Sequence, residues 1–130
     1  MPGFNNAFFN SALAKAVGKS SPDHVITAVS LHTAEPDPIT GSNLVTGGGY
    51  ANQTVTQASF ADPADGILAL EGDIEFDGPE NGEVTHMGYW AGGTFMGGRP
   101  LTGHQTFNAN GKYILRAPQT RIRFVNQTTE

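Results

Sequence analysis

Three carboxylates at alternate positions, Asp73, Glu75 and Asp77, followed at once by Gly78, are the nearest this sequence comes to a metal site. A helix-flanked calcium loop wants oxygen ligands at its first, third and fifth positions, glycine at its sixth and a bidentate glutamate at its twelfth. The first half of that pattern fits. Its twelfth position is Val84, Glu83 falls one residue short, and no helical pattern leads into it. Alternating carboxylates also arise on the wet face of a β-strand, whose side chains point to opposite sides in turn. The strand reading accounts for the whole pattern, with Ile74 and Phe76 as its dry face. Weak calcium binding at the Asp77–Glu83 turn stays open beside it, and no resident cofactor is expected.

The other chemistry-bearing residues are scattered. His24, His32, His86 and His104 include no pair at H-x-H or H-x-x-x-H spacing, so neither the cupin nor the zincin metal pattern is present. The chain has no cysteine, which removes thiolate nucleophiles, thiolate metal sites and disulfides together. No Gly-x-Ser-x-Gly elbow occurs. The triple glycine Gly47-Gly48-Gly49 opens a Thr- and Val-rich stretch instead of a helix, and no Gly-Lys-Ser/Thr follows, so it is no phosphate loop. A bulge or a sharp bend suits it better. His86 lies in a stretch expected to be buried, where histidine more often hydrogen-bonds than catalyses. Tyr50, Tyr89, Trp90, Phe95 and Tyr113 could stack on a sugar, but most fall in expected strands, where packing is the commoner role. The reading is of a protein that is not an enzyme, with a small hydrolase as the third-ranked alternative.

The elements that must position these residues are mostly strands. Val84 to Trp90 carries bulky or apolar side chains at both odd and even positions, which marks an inner strand covered on both faces. Val25 to Leu31, Tyr50 to Thr56, Ile67 to Leu70, Asp73 to Phe76, Thr94 to Met96 and Thr102 to Phe107 read as further strands. Gly97-Gly98-Arg99-Pro100 is expected to break the chain between the last two. Tyr113 to Arg116 and Arg121 to Phe124 look like a closing pair around Pro118. His32 to Asn43, with Glu35-Pro36-Asp37-Pro38, can be neither helix nor inner strand and is long for a connector, which is typical of working loops.

One helix stands apart, over residues 5–17. Phe9, Leu13, Ala16 and Val17 recur at three- and four-residue spacing, and Phe8 and Ala12 widen the stripe. Asn5 or Asn6 can cap it and Gly18 can stop it. So apolar a stripe needs cover, most simply from the chain's own sheet, alternatively from a neighbouring subunit or a larger assembly.

In 130 residues there are 17 glycines and 8 prolines, and 15 % of positions are charged. That favours turns and short strands over long surface helices. The expectation is one domain over 1–130, with the helix at 5–17 and a β-domain at 25–125. The fold class expected is mainly β: an antiparallel β-sandwich or flattened barrel with one short N-terminal helix. No apolar run approaches the roughly 18 residues of a membrane span, and the first residues lack the basic region of a secretory signal. Neither membrane nor nucleic acid is an expected partner, the net charge being −5.

That charge is segregated. Eight carboxylates and no cation lie between Asp62 and Glu83, and five cations and no carboxylate between Arg99 and Arg123. The two blocks can lie side by side as paired strands of one subunit, or meet head to tail between subunits.

Three stretches together resemble a known family. They are Leu31-His32-Thr33-Ala34-Glu35-Pro36, the run from Gly41 through Gly47-Gly48-Gly49-Tyr50-Ala51-x-Gln53-x-Val55-Thr56, and Val84-Thr85-His86-Met87-Gly88-Tyr89. Their order and spacing resemble small tailed-bacteriophage virion proteins, labelled tail-fibre-like or head-decoration proteins, over about Asn5 to Phe124. The chain departs from that pattern in carrying Asn52 where a basic residue is usual, and in lacking most of the loop after the central strand. The resemblance implies a non-enzymatic virion structural protein, decorating the capsid exterior as a small homo-oligomer, with a trimer as one arrangement. Its partners would be the major capsid protein or other virion proteins. The runner-up is a tail-associated fibre or adhesin that recognises a host surface glycan. The residues expected at subunit or shell contacts are Phe8, Phe9 and Leu13 of the helix, Glu35, Asp37 and Asn43 of the long loop, and Arg99, Arg121 and Arg123 of the basic block.

Overall fold

The computed structural model describes residues 3–19, 25–62, 67–116 and 121–123, with the backbone alone at 3, 4, 67, 68, 102–104 and 121–123. Its longest pairing joins β6 (Glu83–Ala91) to β7 (Thr94–Thr106) through the tight turn at Gly92 and Gly93. On the other side of β6 runs β2 (Ala28–His32), with β3 (Gln53–Thr54) beyond it, and β1 (Gly3–Phe4) lies along the far side of β7. The antiparallel sheet has the order β1-β7-β6-β2-β3, so the stretch expected to be the inner strand holds the middle place. The fold is mainly β, with open antiparallel sheets and one short N-terminal helix, as a sandwich requires.

Two bulges shape the central pair. The register shifts between Val84 and His86 and again between Tyr89 and Trp90. The first places Val84 in the same core as Met87, Tyr89 and Ala91, although strict alternation would send it to the opposite face. β7 is continuous in pairing where a break was expected at Gly97-Gly98-Arg99-Pro100. Gly97 and Gly98 pair with Tyr89 and Gly88, Pro100 stands opposite His86, and the irregularity falls after it, where the partner of Val84 is Gln105. A proline at the edge of a bulge costs the ladder no hydrogen bond it would otherwise make.

The closing hairpin expected of residues 113–116 and 121–124 does not form. β8 (Lys112–Leu115) pairs with β5 (Ile74–Asp77), and β9 (Arg121–Arg123) pairs with β4 (Ile67–Ala69). Register explains the first choice. Ile74 lies opposite Leu115 and Asp77 opposite Lys112, so apolar meets apolar and acid meets base. Phe76 and Leu115 are buried in the core with Val29, Leu31, Val45, Met87 and Phe107. Tyr50 stacks on Phe76, centroids 6.1 Å apart and planes 5° from parallel.

The triple glycine makes the bend expected of it, all three residues having positive φ. At Gly48, with φ +63°, a Cβ would lie 2.1 Å from the Gly78 carbonyl oxygen, so no other residue lets these two turns approach.

The α-helix α1 (Asn6–Ala16) begins where Asn5 Oδ1 accepts from Phe8 N–H. Asn5 Nδ2 also donates to the carbonyls of Pro38 (2.7 Å) and Phe95 (2.5 Å), tying the cap to the long loop and to β7. At the other end Lys19 N–H bonds Ala14 C=O and Gly18 N–H bonds Lys15 C=O, with Gly18 at φ +74°. That is a Schellman stop, and it needs the left-handed residue that glycine supplies.

Candidate functional site

The helix lies on β7 through Ala7, Phe8 and Ser11, and Ser11 is its buried residue. At 100° per residue these three share one face, and Phe9, Leu13 and Val17 point to nearly the opposite one. Phe9 is 41 %, Leu13 66 % and Val17 70 % exposed. Cover of the whole stripe by the chain's own sheet, the simplest expectation, is therefore corrected. Ala7 and Ser11 are small enough for close approach to the sheet, and with Phe8 they take the inner face; the Phe9–Leu13–Val17 row is left outside.

The long loop bears on the same end of the molecule. Glu35, Asp37 and Asn43 are exposed, and Ile39 at its tip is 84 % exposed. Asp37 Oδ1 accepts from the N–H groups of Ile39 and Thr40, bonds that hold its carboxyl below the ordinary aspartate range. Pro38 and Ile39 form one wall of an open groove of about 490 Å³, with Asn5, Ala7 and Phe95 on the others. The start of the helix and the loop tip thus share one open groove, and the Phe9–Leu13–Val17 row lies outside its lining.

Arg99 is half-buried and donates to the Tyr89 hydroxyl inside the sheet. The backbones of Arg121 and Arg123 pair with Ala69 and Ile67, and their side chains lie outside the described residues. Arg116 reaches Asp73 at 3.1 Å, and Lys112 bonds Asp77. The acidic and basic blocks therefore meet within one subunit as paired strands. Asp73 and Asp77 are each held by a cation and Glu75 is exposed; among the described residues no three acidic or histidine side chains stand close enough to hold a metal. The aromatics turn inward: Tyr113 lies 5.9 Å from Phe107, and Trp90 meets Phe95 edge-on at 5.1 Å.

The sequence did not reveal where the molecule concentrates its polar chemistry. His32 closes β2 instead of opening the loop, and both it and Ser30 are 0 % exposed. They project from the sheet face opposite Val29 and Leu31. The Trp90 indole N–H donates to Ser30 Oγ at 2.8 Å, and Ser30 lies 2.7 Å from His32 Nε2. His32 Nδ1 lies 2.8 Å from the Ser42 carbonyl. A carbonyl only accepts, so Nδ1 carries the proton and Nε2 takes the hydrogen bond from the serine hydroxyl. Phe95 packs edge-on against the imidazole, centroids 5.9 Å apart. Burial depresses the His32 pKa first, and His86 across the strand pair adds to this, against an opposing effect of the Ser42 bond. His86, expected to be the buried one, is only half-buried, 2.8 Å from Thr85 Oγ1. The period-two alternation of Val29-Ser30-Leu31-His32 was the available signal, masked by the loop that starts next to it.

Ser30 and His32 are both fully buried, with the half-buried Trp90 donating into the pair. Among the described residues the exposed large apolar side chains are Phe9, Leu13 and Val17 of the helix row, Ile39 at the loop tip, Val25 and Ile114. Fold and surface together define a mainly β-domain with an exposed apolar row on its one α-helix. A family model described as Podophage GP4 fiber I protein gp80 matches residues 5–123, and the chain belongs to that family. Membership makes it a bacteriophage virion structural protein of a fibre-like family, as the three motif stretches implied. No curated protein matches the chain. Among the described residues no helix is long and apolar enough to cross a membrane.

Proposed function

We propose that this chain is a non-enzymatic subunit of a virion fibre, joined to its neighbours through the outer face of α1 and the tip of the 33–44 loop. The exposed row Phe9–Leu13–Val17 carries the reading, since an apolar stripe held open by a well-capped helix is stable in water only at a cost that packing removes. The family's description as a fibre protein supports the fibre over the shell. Small homo-oligomers, a trimer among them, let one modest contact be repeated by symmetry until the sum holds.

Decoration of the capsid exterior through the major capsid protein is the second reading. It is favoured by a sequence without an internal repeat of the sort that builds a long shaft. Mixing purified protein with tailless capsids and with isolated tails or fibres, then sedimenting each, separates the two. Retention on tails or fibres alone supports the first, and retention on empty capsids alone replaces it with the second. Turnover in a broad substrate screen, lost in folded His86→Ala, would overturn both in favour of a hydrolase.

A further inference from the structure

We infer that His32 is an acid-released latch: a proton on its ring parts the 33–44 loop from the sheet and loosens the start of α1 with it. The loop is fastened at its base by the His32 Nδ1–Ser42 bond, the Thr33 N–H bond to Asn43 C=O (2.9 Å) and the Val45 N–H bond to Leu31 C=O (3.0 Å). Its far side is fastened to the helix, because the Asn5 amide that caps α1 also holds the Pro38 carbonyl. The latch, the loop and the helix start are thus joined in series by hydrogen bonds.

Protonation acts at a definable atom, Nε2; the Nδ1–H bond to Ser42 survives it and favours the charged ring, but the burial of the ring outweighs that bond. Nε2, now the hydrogen-bond acceptor from Ser30, becomes an N–H donor pointed at the same hydroxyl oxygen. Ser30 Oγ already receives the Trp90 indole N–H. With both neighbours donating, the serine proton is left without an acceptor in a buried site, and the imidazolium charge is held away from water. Gly88 closes off relief from the β6 side, for a Cβ there would lie 2.8 Å from both His32 Nε2 and Ser30 Oγ. Opening the loop rehydrates the ring.

Several titratable groups lie around the latch. From β6 the facing titratable group is His86, whose charge would oppose that of His32. From β7 the neighbour is the uncharged Phe95 ring. On the loop, Asp37 titrates below the usual aspartate range, and Glu35 lies within electrostatic reach of His86. Because the closed form resists the proton, the latch holds fully above the ordinary histidine value near 6.5. Below it the open fraction grows by up to about tenfold per pH unit, until the depressed value of the closed form is reached.

Trp90 is the only tryptophan of the chain and donates into the relay, so its fluorescence reads the latch directly. The experiment follows Trp90 emission and amide exchange of residues 33–44 and 6–16, corrected for intrinsic rates, from pH 7.5 to pH 4.5 in the full chain, His32→Gln and His86→Gln. Expected are an emission shift and faster exchange of both segments on acidification, lost in His32→Gln and kept in His86→Gln. Acid-insensitive exchange in the full chain, or a response that survives His32→Gln or disappears with His86→Gln, overturns the proposal. Should His32→Gln not fold, the ring carbon shifts of His32 are titrated by NMR in the unaltered chain. A midpoint below 6.5 with the Ser42 and Asn43 amides moving in step supports the latch; a midpoint at or above it, or loop amides that do not move, overturns it.

Discussion

At the scale of single residues, the sheet face opposite the core is as tightly constrained as the core itself. A Cβ at Gly88 would sit 2.7 Å from the Phe95 ring and 2.8 Å from His32 and Ser30, all of them fixed by neighbours. Gly88→Ala is therefore expected to destabilise the fold by about 1–3 kcal/mol through overpacking, measured as a lower urea midpoint with unchanged slope. Tyr50 is the matching case on the other face. Its hydroxyl accepts the Leu31 N–H at 2.7 Å and donates to Asn52, so Tyr50→Phe strands a backbone donor and should cost about 1–3 kcal/mol in the same assay. The same hydroxyl carries a pH prediction. Burial pushes it from 10.0 to about 12, partly offset by the Leu31 bond, so between those values the folded chain keeps a proton that the unfolded chain has lost. Stability from this group is complete below pH 10 and falls as pH rises towards 12. Burial raises Tyr89 and Tyr113 in the same sense, and Asp77 raises Lys112, so Tyr50→Phe should flatten part of the alkaline decline and leave the rest.

At the scale of elements, α1 makes the sharpest prediction because its two faces do different things. Leu13 touches little of its own subunit, so Leu13→Asp should leave the melting of dilute protein within about 0.5 kcal/mol of the original. The same change should weaken self-association or attachment, read by analytical sedimentation or retention on particles. A large loss of stability with association intact would mean that the stripe is covered from within. This helix also shows how far sequence reaches. Spacing and the Asn5 and Gly18 signals placed it within a residue at either end, because capping and periodicity are local. The covered side was misjudged, since periodicity ranks faces by polarity while the sheet took the face whose small Ala7 and Ser11 allow close approach. Strand partners failed for a related reason. Residues 113–116 and 121–124 were identified as strands, yet pairing was settled by Phe76, Leu115 and the Asp77–Lys112 match some 35 residues away in the chain. The Ser30–His32–Trp90 relay was illegible because its parts come from two strands and a loop, and no short motif spans them.

At the scale of the whole molecule, the question is what force holds the subunit in a particle. A net charge of −5 with its acids and bases in separate blocks would suit subunits that meet by electrostatic attraction. The topology removes that option for part of the charge, because pairing of β5 with β8 brings Asp73 to Arg116 and Asp77 to Lys112 inside one chain. What faces outward on α1 and the loop tip includes the apolar Phe9, Leu13, Val17 and Ile39, with Lys15 on the helix and Glu35 and Asp37 on the loop beside them. Apolar contact responds to salt in the opposite way from ion pairing: screening shortens from about 10 Å at 0.1 M to about 3 Å at 1 M and weakens exposed ion pairs, whereas excluded salts such as sulfate strengthen apolar burial. Particles or purified oligomers carried from low to high sodium chloride should therefore keep this subunit, and sulfate should hold it at least as firmly. Release that scales with ionic strength in either salt would place charged groups at the contact and move the interface away from the helix row. Release only on Leu13→Asp, whatever the salt, would place the contact on that row.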